Sequence, residues 1–243
     1  MKLSGVSLIR REGLARVITA GLSAAAALAV VVGYSQPAAT YELTNRGSGF
    51  SRIAVIGDSY TTGTDEGGLG PKSWTSRAWL LLAGQGARVD PDVAAEGGAG
   101  YGIRGNQGSL FEDLTVRAVD RDDALVVFFG SRNDQPADMQ KYPVLVGETF
   151  QIARRVAPRA KLLVIGPPWP TADPPGEVLA QRDILRAQAK AVGAVFIDPL
   201  AEGWFVGHPE LIGPDGVHPT DAGHAYLADK IAPLIRSQLA IPL

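Results

Sequence analysis

The 243-residue chain contains no cysteine, which excludes a disulfide framework, a thiolate nucleophile and any thiolate metal site. Histidine is nearly as scarce, so imidazole chemistry can come only from His208, His218 or His224. Neither sign of charge is in excess: 23 Lys and Arg face 25 Asp and Glu, for a net charge of −2. That balance lacks the basic footprint of a nucleic-acid binder, and nucleic acid is not an expected partner. There is no internal repeat, which argues against a solenoid. No phosphate-loop signature follows the first strand-like run, which argues against a nucleotide binder.

The N-terminus is rich in what most of the chain lacks, a long uncharged apolar run. Lys2, Arg10, Arg11 and Arg16 precede VITAGLSAAAALAVVVGY, the stretch from Val17 to Tyr34. A basic flank followed by such a run is the pattern of an export signal. The run is also just long enough to span a bilayer, so residues 1–40 are expected to be either a cleaved signal peptide or a retained anchor. The competing reading is a buried Ala-rich core helix. In the export reading the basic flank stays inside the cell, and the rest of the chain is expected outside. Without cysteine, a lipoprotein anchor is excluded. Residues 41–50 are polar and turn-rich, as in a linker.

From residue 51 to 243, short β-branched runs alternate with helix-like segments. Strands are expected at 52–57, 87–95 (interrupted by Pro91), 124–130, 161–166 and 194–198. Continuous apolar runs of this length suit strands covered on both faces of a parallel sheet. The segments between them carry apolar residues at helical spacing, with Pro143 expected to break or start one helix. A last helix is expected from about Ala222 to Leu239. The alternation predicts one α/β domain, a three-layer α/β/α sandwich around a mostly parallel five-stranded sheet. In such folds ligands sit at the carboxyl ends of the strands, which directs attention to the loops there.

The first of those loops is GDSYTTG, in which Ser59 follows a strand and a Gly-Asp turn. A serine there can be a helix cap or a nucleophile, and the second role requires a base. His218 lies in GPDGVHPTDAG, three residues after Asp215. That spacing lets the carboxylate hold one imidazole nitrogen while the other faces a hydroxyl. The alternative is an Asp-Gly turn with a surface histidine. Thr220 or Asp221 is placed to cap the final helix. His224 falls inside that helix, and His208 lies in a loop. Acyl transfer also needs donors for a developing oxyanion. EGGAGYG offers backbone N–H groups that can approach a substrate closely, and SRND offers the side-chain amide of Asn133.

GDSYTTG, EGGAGYG, SRND and DGVHP, in this order, resemble the four blocks of the SGNH hydrolases, also called GDSL esterases or lipases. The resemblance runs from about Ile53 to the C-terminus. It implies a flavodoxin-like fold and ester hydrolysis with neither metal nor cofactor. It assigns Ser59 as nucleophile, His218 as base and Asp215 as its orienting acid. The oxyanion hole would combine the Ser59 N–H, a glycine N–H of the second block and Asn133. Spacing from Gly97 favours Gly100, with Gly98 second. Two departures stand out. Ser131 holds the usual glycine position of the third block, with Gly130 one residue earlier. Ala95 or Val93 stands where the second block usually has an asparagine.

The expected partner is a small-molecule, glycan or lipid ester. Tyr60 and Tyr101, beside the blocks, are candidates for narrowing the substrate entrance. Trp169 in GPPWP is a candidate for stacking on a sugar or lining an acyl slot. The absence of a long apolar lid favours short acyl chains. An O-acyltransferase using the same residues, and an envelope-binding module without catalysis, are the alternative readings.

Overall fold

The computed structural model describes residues 49–239. The expected signal or anchor at 1–40 and most of the linker lie outside the described residues. Among the described residues, no helix is long and apolar enough to cross a membrane.

Five strands form one sheet: β1 (Ser51–Gly57), β2 (Val89–Ala95), β3 (Leu125–Phe129), β4 (Lys161–Ile165) and β5 (Val195–Ile197). Their order is β2-β1-β3-β4-β5, and all four pairings are parallel. The three central strands are the most buried, and their buried positions are filled almost wholly by apolar residues, as covering on both faces demands. Pro91 does not interrupt β2. It pairs in register with Ile53 on a strand at the sheet's edge, where a missing N–H is tolerated.

Alternation along each strand divides the core in two. Val55, Val127, Phe129 and Ile165 point to one face, where they meet α2 (Trp74–Gly84) and α6 (Asp221–Gln238). Ile56, Val126, Phe128 and Val164 point to the other. There they meet α3 (Phe111–Ala118), α4 (Tyr142–Val156) and α5 (Gly176–Ala191). Pro143 starts α4 rather than breaking it, in the first turn where no N–H is needed. Thr220, not Asp221, caps α6, accepting from the Gly223 N–H at 3.1 Å.

This order reverses direction between β1 and β3. The chain leaves β1 for β2 on one side, then returns past β1 to β3 on the other. The crevice at such a switch point is where ligands bind in open α/β sheets. Immediately beyond β1 comes the four-residue helix α1 (Ser59–Thr62). Its approach to the strand requires Gly57, because a Cβ there would lie 2.2 Å from Thr61 Oγ1 and 2.7 Å from Thr61 Cβ. Gly57→Ala is therefore expected to destabilise the fold by about 1–3 kcal/mol through overpacking. Urea denaturation would show this as a lower midpoint with an unchanged slope, and an unaltered midpoint would refute it.

Candidate active site

Asp58 ends the first strand and caps α1, its Oδ1 accepting from the Tyr60 N–H at 2.9 Å. The cap is thus the aspartate, and Ser59 is left as the first helical residue with its hydroxyl free for another partner. That partner is His218: Nε2 lies 3.0 Å from Ser59 Oγ, across 159 residues of sequence. His218 Nδ1 lies 2.5 Å from Asp215 Oδ2. Asp215 Oδ1 accepts from the backbone N–H groups of Val217 (2.8 Å) and His218 (2.9 Å), which fixes the loop that carries both residues. Desolvation pushes the Asp215 carboxyl up, but the hydrogen bonds from His218 and Val217 outweigh it and hold it below the ordinary value. An ionised carboxylate on one imidazole nitrogen and a hydroxyl on the other can draw a proton off the serine.

The other two histidines are elsewhere. His208 is exposed beside Glu210. His224 is fully buried in α6, its Nδ1 accepting from the Trp74 N–H at 3.3 Å. Burial lowers its pKa to about 4, so it stays neutral.

Ser59 and His218 line a cavity of about 470 Å³, with Asn133 and the first residues after β2 on its opposite wall. Gly98 is on that wall and Gly100 is not. The Gly100 N–H donates to Ile103 O at 2.8 Å, closing a turn. A Cβ on Gly100 would lie 2.3 Å from Asp134 Oδ1, so this glycine makes room for a buried carboxylate. Gly100, which spacing favoured as a donor, is thus corrected: its N–H is already engaged. It is Gly98, with a φ of 79° that a side chain would resist, that lines the cavity.

Asn133 Nδ2 donates to Ala99 O at 2.9 Å and to Asp58 Oδ2 at 3.3 Å. Ser131 braces the same junction, donating to Ala99 O at 3.0 Å and accepting from the Asn133 N–H at 2.9 Å. The displaced glycine has a physical reason as well. Gly130 has φ of 128°, and a Cβ there would fall 2.8 Å from Asp58 Oδ2. Asp134 is fully buried and accepts from the N–H groups of Tyr101, Gly102 and Ile103 and from the Tyr142 hydroxyl. Burial raises its pKa to about 6 against those hydrogen bonds.

The three aromatic candidates do not line the cavity. Tyr60 is buried, packs against Phe129 and Phe205, and donates its hydroxyl to Val217 O at 2.5 Å. It supports the loop of His218 from beneath instead of meeting substrate. Tyr101 is buried among Phe111, Tyr142 and Phe150 on the far side of the sheet. Trp169 is half-buried with the Arg132 guanidinium stacked 4.0 Å from its ring centroid. Position beside a motif, for Tyr60 and Tyr101, and in the loop after the fourth strand, for Trp169, placed all three near the site. Side-chain direction, which sequence does not reveal, turned them away from it.

The cavity wall also includes residues that sequence reading missed. Glu96 Oε1 accepts from the N–H groups of Gln107 (2.5 Å) and Ser109 (3.2 Å), folding segment 105–109 back onto the loop after β2. Desolvation pushes the Glu96 carboxyl up, but those hydrogen bonds outweigh it and its pKa is lowered. Asn106 and Gln107 are thereby brought to the cavity. The EGGAGYGIRGN run held a signal for this in its glycines, which permit the tight return.

Comparison with known proteins agrees with this architecture. The GDSL-like lipase/acylhydrolase family matches residues 55–226, more than half of the chain. GDSL lipase Rv0518 of Mycobacterium tuberculosis is 67% identical over 190 residues, spanning 77% of this chain and 82% of that protein. The crystal structure of TesA matches with a TM-score of 0.62 at 22% identity, covering 78% of this chain and 100% of that one. A carbohydrate esterase family 2 enzyme with a carbohydrate-binding domain, from Corynascus thermopiles, gives 0.61 at 22% identity. That match covers 79% of this chain and 67% of the other. At these identities the structural likeness speaks for the fold, and the sequence matches speak for the family. The chain belongs to the GDSL-like lipase/acylhydrolase family of SGNH hydrolases, and is a carboxylic ester hydrolase.

Asp58 gives the site a pH signature. Burial raises its pKa from 3.8 to about 7, so the folded protein keeps a proton that the unfolded chain releases. That contribution to stability is full below about pH 4 and is lost as pH rises through about 7. His224 titrates in the same range, and its effect cancels when wild type is compared with Asp58→Asn. The like charge of Asp134 instead opposes ionisation of Asp58 and adds to the same fall. The stability of wild type relative to this variant is expected to fall between pH 4 and pH 8 in urea melts. A difference that stays constant over that range would contradict the assignment.

Proposed function

We propose that this protein is an exported serine esterase that cleaves short-acyl carboxylic esters, acetylated glycans or lipids among them, through an acyl-enzyme. The observation that carries the reading is the unbroken chain from Asp215 Oδ2 to His218 Nδ1 (2.5 Å) and from His218 Nε2 to Ser59 Oγ (3.0 Å). Ser59 Oγ attacks the ester carbonyl while its proton passes to His218 Nε2. Asp215 holds the tautomer and stabilises the imidazolium. The tetrahedral intermediate collapses, and the alcohol leaves with the proton from His218. A water then gives its proton to His218 and its oxygen to the acyl carbon, and the acid departs as Ser59 recovers its hydrogen.

Three donors are available for the oxyanion: the Ser59 N–H, the Gly98 N–H and Asn133 Nδ2. Neither backbone N–H is spent on another protein group among the described residues. For Asn133, the oxyanion would replace the 3.3 Å contact to Asp58, the longer of its two. A carboxyl group that burial holds near neutrality competes weakly for that donor. Export rests on Lys2, Arg10, Arg11 and Arg16 ahead of the apolar run. The likeness to a carbohydrate esterase fold is consistent with glycan esters.

Ser59→Ala is expected to abolish p-nitrophenyl acetate turnover and labelling by a fluorophosphonate. Asp215→Asn is expected to lower kcat at least about a hundredfold with the fold intact by circular dichroism. Wild-type turnover in the serine variant would end the proposal.

A further inference from the structure

Two residues of segment 105–109, Asn106 and Gln107, line the cavity, and a contact from outside the segment holds them there. Glu96 is 3% exposed, and its Oε1 clamps the segment through the Gln107 and Ser109 N–H groups. Gly105 lets the carboxylate in, since a Cβ there would lie 2.5 Å from Oε1. The Asn106 N–H donates to Gly97 O at 2.9 Å, closing the return. The Asn106 side chain then lies flat on the two glycines beside Ser59: a Cβ on Gly97 would be 3.2 Å from Nδ2, and one on Gly98 3.2 Å from Oδ1. Neither the Asn106 nor the Gln107 side-chain amide has a hydrogen-bond partner among the described residues. A costly buried clamp thus presents two exposed, unpartnered amides to the space in front of Ser59.

We propose that segment 105–109 is a recognition loop for the alcohol half of the ester, with Asn106 hydrogen-bonding hydroxyl groups on it. The substrates are then esters of polyhydroxylated alcohols, a sugar unit or a comparable polyol. This rests on the serine esterase reading above. A primary amide offers a donor and an acceptor side by side, which matches adjacent hydroxyls. An acyl chain has no such groups, so the alcohol is the portion read. The rest of the wall agrees: Thr62, Thr64 and Gln107 are neutral hydrogen-bonding residues, and the one carboxylate in the lining, Glu96, has its Oε1 engaged by the Gln107 and Ser109 N–H groups. Among the described residues that line it, Ala95 is the largest aliphatic one. An extended hydrocarbon would leave these polar groups unsatisfied, and no aromatic ring other than His218 is present to hold a quaternary ammonium. A cavity near 470 Å³ accommodates a sugar ring and a short acyl group.

The test compares a monoacetylated methyl xyloside bearing two free hydroxyls with the same ester after O-methylation of both. Wild type is expected to favour the free-hydroxyl ester by about tenfold or more in kcat/KM, mainly through KM. Asn106→Ala is expected to shrink that ratio to about twofold. A residue that served only the loop's folding would lower both substrates together and leave the ratio alone, and that result would overturn the inference. Wild type that hydrolyses p-nitrophenyl acetate yet shows no preference between the two sugar esters would overturn it as well. Wild type inactive on all three esters would instead sink the esterase reading, and this inference with it.

Discussion

The site depends on one buried carboxyl group at the junction of two strands. Asp58 is 1% exposed, and its two oxygens serve different strands. Oδ1 caps α1 and so orients Ser59, while Oδ2 takes the Asn133 amide beyond the end of β3. Gly130 has no side chain because that oxygen occupies its place. The acid beside Ser59 in the sequence is the post on which Ser59 and the Asn133 amide are both hung. The burial that makes the arrangement rigid also raises its pKa to about 7, so the post is held near neutrality.

A second buried acid does comparable work one residue from Asn133. Asp134 gathers three successive N–H groups of the loop after β2, and Tyr142 steadies it from α4. Together with Ser131, it ties that loop to the end of β3. Glu96 repeats the device for segment 105–109. Carboxylates suit this purpose because each oxygen can accept more than one N–H, and an irregular loop has N–H groups that no ladder satisfies. Apart from Asp215, which both holds its own loop and meets His218, the acids that hold the loops of this site lie outside the line from Asp215 to Ser59.

The fold was legible because parallel strands buried on both faces must be apolar throughout. The three central runs are of that kind, while the edge strands β2 and β5 are largely unburied and were read from their place in the alternation. All five became strands, shifted by one or two residues at their ends. Pro91 misled only as far as position in the sheet was unknown, since an edge strand loses nothing by it. That Ser59, His218 and Asp215 would meet was legible because a hydroxyl, an imidazole and a carboxylate suited to one proton path allow few combinations in a chain with three histidines. Gly100 was not, because spacing alone cannot tell a glycine that exposes its N–H from one that makes room for Asp134. Tyr60, Tyr101 and Trp169 do not line the cavity for a related reason: a residue beside a motif or in a loop at the right edge of the sheet can point away from it.

The sequence by itself determined the alternation of strands and helices, the family, and the residue types able to carry acyl transfer. These follow from hydrophobic period and from chemical capacity, both properties of short segments. The tertiary structure alone decided that Asp58 takes the Asn133 amide as well as capping α1, that Gly98 and not Gly100 lines the cavity, and that Asn106 stands at its wall. Each of those outcomes depends on which atoms meet across tens of residues, and packing fixes that only when the whole sheet has closed around them.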